Sequence, residues 1–157
     1  MTYLDDIAPI FEQKPLSTQY FHVILPKGHR LEKRKQASWS AIQNEQLVSL
    51  PSDSRTRRLI DATAITSGLT LSHSVTVTQF ATMLQFVASG VGIAIVPEGT
   101  LAEASNIGLS ARPLVHPRIS RVLGVITLRE RNQSPFAKEL TDQLEREWKR
   151  LNAAYTG

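Results

Sequence analysis

The sequence predicts an α/β fold built on a mostly parallel sheet, and three observations carry the prediction. Runs rich in β-branched and aromatic residues, bounded by turn residues, alternate along the chain with patterns of helical period, which is the mark of βαβ units. One stretch, TVTQFATMLQFVASGVGIAIVP at residues 76–97, reads as a helix feeding directly into a strand. Ile93, Ala94, Ile95 and Val96 form a continuous apolar run there, as expected of a strand covered on both faces. The composition, 41% hydrophobic and 20% charged over 157 residues, is that of a globular chain able to form one compact domain or two small lobes.

The elements follow in order. Residues 1–18 resist assignment: Asp5 and Asp6 precede a short apolar patch (Ile7, Ile10, Phe11), and Pro15 breaks the segment. QYFHVIL at 19–25 reads as a strand, and Pro26, Lys27 and Gly28 as a turn. The polar run RLEKRKQAS reads as a surface loop, after which Ser38 caps a short helical turn carrying Trp39 and Ile42. A second strand spans 46–50 and ends at Pro51. Ser52, Asp53 and Ser54 offer several N-caps for a helix reaching about Ser67, with Gly68 as its stop. Leu71, His73, Val75 and Val77 alternate, which predicts a strand over 71–77 with one face buried.

Thr76 and Gln79 have the spacing of a capping box, with Thr78 as the competing cap. Phe80, Met83, Leu84, Val87 and Ala88 then fall on one helical face, and Gly90 sits where a helix ends in a left-handed residue. Gly90, Val91 and Gly92 follow a helix and open a strand, the reverse of the order in a dinucleotide-binding loop. A short helix including Leu101 and Ala102 follows Pro97, then strands over 109–114 and 121–128. Ser134 and Pro135 are a good N-cap and first position for a last helix. Its stripe is Phe136, Leu140, Leu144, Trp148 and Leu151, and its other face carries Lys138, Glu139, Asp142, Glu145 and Lys149.

Several classes of chemistry find no residues to carry them. The chain has no cysteine, which excludes disulfides, thiolate metal sites and cysteine catalysis and fits a reducing, cytoplasmic compartment. No serine sits in a G-x-S-x-G elbow. His22, His29, His73 and His116 are far apart and lack metal-ligand spacing, and a lone histidine is more often a satisfied structural residue. No carboxylate pair is indicated, and Glu98, which follows a buried strand, reads as a surface cap. No cofactor motif is present. No apolar run is long enough to span a bilayer, and the first residues lack the basic segment of a secretory signal. The net charge is +4, but the basic residues are scattered outside residues 33–35 and Arg55, Arg57 and Arg58, with no aromatics interleaved for base stacking. Solvated surface charge explains most of them.

What remains are two strand-to-helix junctions, where open α/β sheets bind ligands. One carries Ser52, Ser54 and Thr56, the other Thr76 and Thr78. If their strands are neighbours, both loops face one cleft. Simple capping is the bland reading of these hydroxyls. Arg55, Arg57 and Arg58 add weight, because cations in a first helical turn oppose the macrodipole and a bound anion would offset that; pairing with surface carboxylates is the plain alternative.

In this order, FHVILPKGHRL, LVSLPSDSRTRRLIDA, VTVTQFATMLQFVASGVGIAIVP and LSARPLVHPRISRVLGVITLRERNQSPFAKELTDQL resemble the effector-binding domain of LysR-type transcriptional regulators, over roughly residues 16–145. The resemblance implies a type 2 periplasmic-binding-protein-like fold, one nearly complete lobe plus part of a second. Residues 1–25 would be a partial first lobe and crossover strand, 26–110 the effector-binding lobe, and 111–157 the return crossover and C-terminal helix. It implies an effector site at Ser52, Ser54, Arg55, Thr56, Thr76, Thr78 and Gln79, holding a small anionic metabolite in a cleft between lobes. It also implies a homodimer or tetramer packed through 54–67 and 71–77, no catalysis, no cofactor and no membrane contact. DNA contact would come only through a helix-turn-helix domain that this chain lacks. The first βαβ part of lobe one is also missing, so the chain resembles a truncated reading of a longer protein. Arg55 stands where the family commonly has a small residue. The rival readings are an extracytoplasmic solute-binding protein of similar fold, an enzyme on that fold, and direct DNA binding.

Overall fold

The computed structural model describes residues 2–3, 7–129 and 134–155. Asp5 and Asp6, and the side chains of Lys149 and Leu151, lie outside the described residues. The elements run β1 (Thr2–Tyr3), β2 (Phe11–Leu25), β3 (Ala37–Ser38), α1 (Trp39–Ile42), β4 (Gln46–Ser49), α2 (Arg55–Thr66), β5 (Ser72–Thr76), α3 (Phe80–Ala88), β6 (Ala94–Pro97), α4 (Leu101–Asn106), β7 (Ser110–Val115), β8 (Ser120–Leu128) and α5 (Pro135–Tyr155). The chain divides into two compact units: Met1–Gln19 with Arg121–Gly157, and Tyr20–Ser120.

The second unit is a sheet with helices on both faces. β5 pairs with β4 in parallel, Thr76 opposite Ser49. β4 meets the approach to β6 through one parallel bridge, Leu47 to Ile93. There Val48 N–H donates to Ile93 O and Ile93 N–H to Gln46 O, both at 2.9 Å. β6 then pairs antiparallel with the second half of β2, whose other edge takes β7, also antiparallel. β7 takes β3 in parallel. The expected mostly parallel sheet is therefore mixed. β2 precedes the first βαβ unit, so no crossover helix obliges it to run with its neighbours.

Successive side chains of a strand point to opposite faces, and β6 serves two cores in this way. Ile93 and Ile95 join Phe21, Val23, Leu47, Ile60 and Ala64 on the α1/α2 side. Ala94 and Val96 join Ile24, Val48, Met83, Leu84 and Val87 on the α3/α4 side. All four β6 residues are buried, as the continuous apolar run predicts.

Helix α2 starts as expected: Ser54 is its N-cap and accepts from Arg57 N–H at 3.1 Å. Helix α3 does not. Its N-cap is Gln79, with no side-chain capping bond, and Thr76 is still in β5. The capping box of Thr76 and Gln79 is not formed, nor is the alternative cap at Thr78. Packing explains why α3 forms without one. A cap contributes about 1 kcal/mol, whereas each fully buried Met, Leu or Val contributes about 1.5–3 kcal/mol, and α3 buries Met83, Leu84 and Val87.

Two glycines control the exit from α3. Gly90 has φ 81°, its N–H donates to Val87 O at 2.9 Å, and Val91 N–H donates back to Phe86 O at 3.2 Å, the paired bonds of a Schellman stop. Gly92 has a different reason. A Cβ built there would lie 2.3 Å from Gln46 O, so any side chain would push the turn off strand β4.

In the first unit β8 lies between β1 and β2. β2 runs through Pro15 instead of breaking there, because in this half it is an edge strand among the described residues, and an edge tolerates a missing N–H. Buried Arg121 donates through Nε and Nη2 to Gln19 Oε1 at 3.3 and 3.2 Å. Ser134 Oγ accepts from Ala137 N–H at 3.2 Å, opening α5 as expected. The α5 stripe remains largely exposed, at 79% for Phe136, 49% for Leu140 and 40% for Leu144.

Gly92→Ala is expected to lower stability by about 1–3 kcal/mol through overpacking against Gln46, and Gly90→Ala by about 1–2 kcal/mol through left-handed strain. Urea unfolding with an unchanged slope would report both as lower midpoints.

Candidate functional site

The parallel pairing of β4 and β5 makes their following loops neighbours. Val77 N–H donates to Ser49 O at 2.9 Å, so 50–55 and 77–79 leave the sheet side by side, each leading into a helix. The seven residues expected at an effector site divide between the surface and the interior. Ser52 and Arg55 are exposed, as are Thr76, Thr78 and Gln79. Ser54 is half-buried and serves as the α2 cap. Thr56 is buried and lines a cavity.

That cavity is small, about 10 Å³, room for roughly one water molecule. Its apolar walls come from β4, α2, α3 and β6 (Leu47, Val48, Ile60, Met83 and Ile95), and its polar side chains are Ser49, Thr56, Arg57 and His73. Of the seven expected residues, only Thr56 lines it.

The polar side is a connected ring. Ser49 Oγ lies 2.6 Å from His73 Nδ1. His73 Nε2 lies 3.1 Å from Asp61 Oδ1. Arg57 Nε donates to Asp61 Oδ2 at 2.7 Å, and Arg57 Nη1 donates to Leu50 O at 3.1 Å. Leu50 follows Ser49, so the ring closes through the backbone. Burial pushes the His73 pKa down, the Arg57 charge pushes the same way, and Asp61 opposes both. The favoured tautomer of the neutral ring carries its proton on Nε2, facing the carboxylate, and accepts the Ser49 hydroxyl proton at Nδ1.

The ring revises one inference from sequence. Arg57 is held within the chain by Asp61 and Leu50, so this cation needs no external anion to justify its place in the first turn of α2. Ser49, Asp61 and His73 are not among the site residues the sequence points to. The available signal was His73, the polar member of the alternating series Leu71, His73, Val75 and Val77; a register shift at Ser74 splits that series, leaving Leu71 in the α1/α2-side core and turning Val75 and Val77 to the α3/α4-side core. A second polar group sits on the α3/α4 side of the sheet: His22 Nδ1 is buried without a hydrogen-bond partner. Burial lowers the His22 pKa, which Glu98 counteracts. Glu98 also accepts from Tyr20 N–H at 3.5 Å. Among the described residues no group of three or more His, Asp or Glu is arranged to hold a metal, and no helix is long and apolar enough to cross a membrane.

Solved structures with the same fold include the effector binding domain of QuiR in complex with shikimate, at TM-score 0.81 and 21% identity. It covers 95% of this chain and 70% of that one. The Synechocystis PCC6803 CcmR regulatory domain in complex with 2-PG superposes at TM-score 0.83 and 17% identity, over 94% of this chain and 72% of that one. In sequence, the transcriptional dual regulator GltC of Bacillus subtilis (strain 168) is 25% identical over 126 residues, which are 80% of this chain and 42% of GltC. The chain thus spans about two-fifths of that relative's length. The family model for the LysR substrate binding domain matches residues 2–149. With almost its whole length matched, the chain belongs to the LysR substrate binding domain family.

Proposed function

We propose that this chain is the effector-sensing regulatory domain of a cytoplasmic LysR-type transcriptional regulator, and that it binds a small anionic metabolite at the edge where β4 and β5 end. The observation that carries the reading is the parallel β4–β5 pair, Ser49 opposite Thr76, because it sets residues 52–56 beside residues 76–79. Both following helices begin at that edge and turn their partial positive charge toward it, and α3 has no side-chain cap of its own. Ser52, Ser54, Arg55, Thr56, Thr76, Thr78 and Gln79 are the candidate contacts. Shikimate in the QuiR domain and 2-PG in the CcmR domain support a small molecule as the occupant. The regulators among the relatives favour this reading over an extracytoplasmic solute carrier or an enzyme.

The effector would act by binding one arrangement of the domain more tightly than another. In the whole regulator, α2 and β5 would serve a homodimer or tetramer, and DNA contacts would lie in a separate helix-turn-helix domain.

A thermal-shift screen of small carboxylates tests the assignment. A true effector at a hundredfold its Kd is expected to stabilise the domain by about 2.7 kcal/mol, and Thr78→Val to remove most of that gain. Ser54→Ala is expected to cost about 1 kcal/mol without ligand, through the lost cap, and to reduce the ligand shift. A shift unchanged in both variants would put the ligand elsewhere.

A further inference from the structure

Residues 27–35 hold an excess of positive charge in a fixed shape. We propose that this segment is a sequence-independent contact surface for the phosphate backbone of duplex DNA. The proposal goes beyond the regulator reading, which leaves the reading of bases to a separate helix-turn-helix domain. The segment also lies apart from the candidate effector loops. β2 ends beside the start of β6, Ile24 opposite Ala94, so residues 27–35 leave the sheet at the edge away from 50–55 and 77–79.

Lys27, Lys33, Arg34 and Lys35 are exposed. Among the described residues none of these four side chains takes part in an ion pair or a hydrogen bond. Arg30 stands with them, its guanidinium paired to Glu45. The one carboxylate of the segment, Glu32, is committed to the chain itself. Its Oε1 accepts from Ser110 Oγ and its Oε2 from Gly28 N–H, both at 2.6 Å. The Arg112 guanidinium, reaching over from β7, donates to Glu32 O at 2.5 Å and to Arg34 O at 2.6 Å. Leu31 is fully buried beneath the same turn. The backbone that carries Lys33 and Arg34 is therefore held, and the cations cannot spread to relieve their repulsion. Charges this close in sequence act on one another within a Debye length of about 8 Å. A row of phosphates removes that repulsion and releases its own counterions in the exchange.

Phosphate suits the surface better than an acidic protein. Residues 26–36 present no exposed large apolar side chain, whereas protein partners are held mainly by apolar and aromatic anchors. The segment has no Phe, Tyr or Trp to stack on an unpaired base, which favours a duplex over a single strand. Three of the four free cations are lysines, which bind phosphate as point charges. Non-specific contacts of this kind have dissociation constants of about 1–100 μM. In a regulator already bound to its operator the domain would meet neighbouring DNA at an effective concentration of about 1 mM, enough to use such a contact. This last step rests on the regulator reading; the surface itself does not.

Fluorescence anisotropy of a labelled mixed-sequence duplex, titrated with the full chain over about 20–200 mM potassium chloride, tests the assignment. Log Kd is expected to rise with log salt with a slope of about 3–4, near 0.9 for each phosphate met. Lys33→Gln with Arg34→Gln is expected to lower that slope by about 2. Arg58→Gln with Arg146→Gln removes the same charge from exposed positions on α2 and α5 and is expected to leave the slope unchanged. No binding at about 20 mM salt, a slope unchanged in the Lys33 and Arg34 pair, or an equal fall in both pairs would overturn the proposal. Tighter binding of poly-L-glutamate than of a duplex of equal charge would overturn it in favour of an acidic protein partner. The thermal shift with small carboxylates is expected to be the same in the Lys33 and Arg34 pair as in the parent chain, so failure of the effector assignment and failure of this one are read separately.

Discussion

The carbonyl oxygen of Gln46 occupies the place where residue 92 would carry a side chain, and much of the second unit depends on that contact. Because residue 92 is glycine, the chain leaving α3 can pass against β4 closely enough for Ile93 to exchange backbone hydrogen bonds with residues 46 and 48. That bridge aligns β6 with β4 and delivers Ile93 and Ile95 to one core, Ala94 and Val96 to the other. It also directs the carboxyl ends of β4, β5 and β6 to one edge. The left-handed stop at Gly90 and the close approach at Gly92 are separate requirements two residues apart: one frees φ, the other removes volume.

A polar ring beneath an apolar helix face is the second constraint. Arg57 sits in the first turn of α2, where a cation opposes the helix dipole by a few tenths of a kcal/mol. Its bonds to Asp61 and Leu50 outweigh this, since a hydrogen bond to a charged group contributes about 1.5–3 kcal/mol. The same carboxylate stands beside His73, which reaches across to Ser49 on the neighbouring strand. Three elements are thereby tied at the point where the candidate effector loop begins, and the tie contains a titratable group. Linkage runs in one direction here: with its pKa depressed by burial, neutral His73 favours the fold above pH of about 6.5, and that contribution fades as pH falls through the lowered value.

Much of the local structure was legible. The β6 run, the Ser54 cap, the Gly90 stop and the Ser134–Pro135 start each rest on interactions spanning a few residues, whereas the single buried face expected of β5 is split by a register shift that sends Leu71 to one core and Val75 and Val77 to the other. The failures have a common cause. Thr76 and Gln79 had capping-box spacing, yet the chain stays extended through Thr76 because that residue is paired to Ser49 across the sheet. Pro15 looked like a break, yet it lies inside β2 at an edge that does not need its N–H. In both cases a partner distant in sequence, or the lack of need for one, decided the matter. The α5 stripe is a third example: helical period marks an apolar face correctly, but period alone does not say what covers it.

At the candidate site the division is the same. By itself the sequence determined the two strand-to-helix junctions, their hydroxyls and the absence of any motif for catalysis, because these are matters of residue type and short spacing. Only the tertiary structure decided that the junctions are neighbours, since parallel pairing of β4 with β5 is a contact across more than twenty residues. It alone brought Ser49, Asp61 and His73 together, and it alone assigned Arg57 to Asp61. Hydrogen bonds and burial act between atoms that folding makes adjacent, and no periodicity along the chain encodes which histidine will meet which serine.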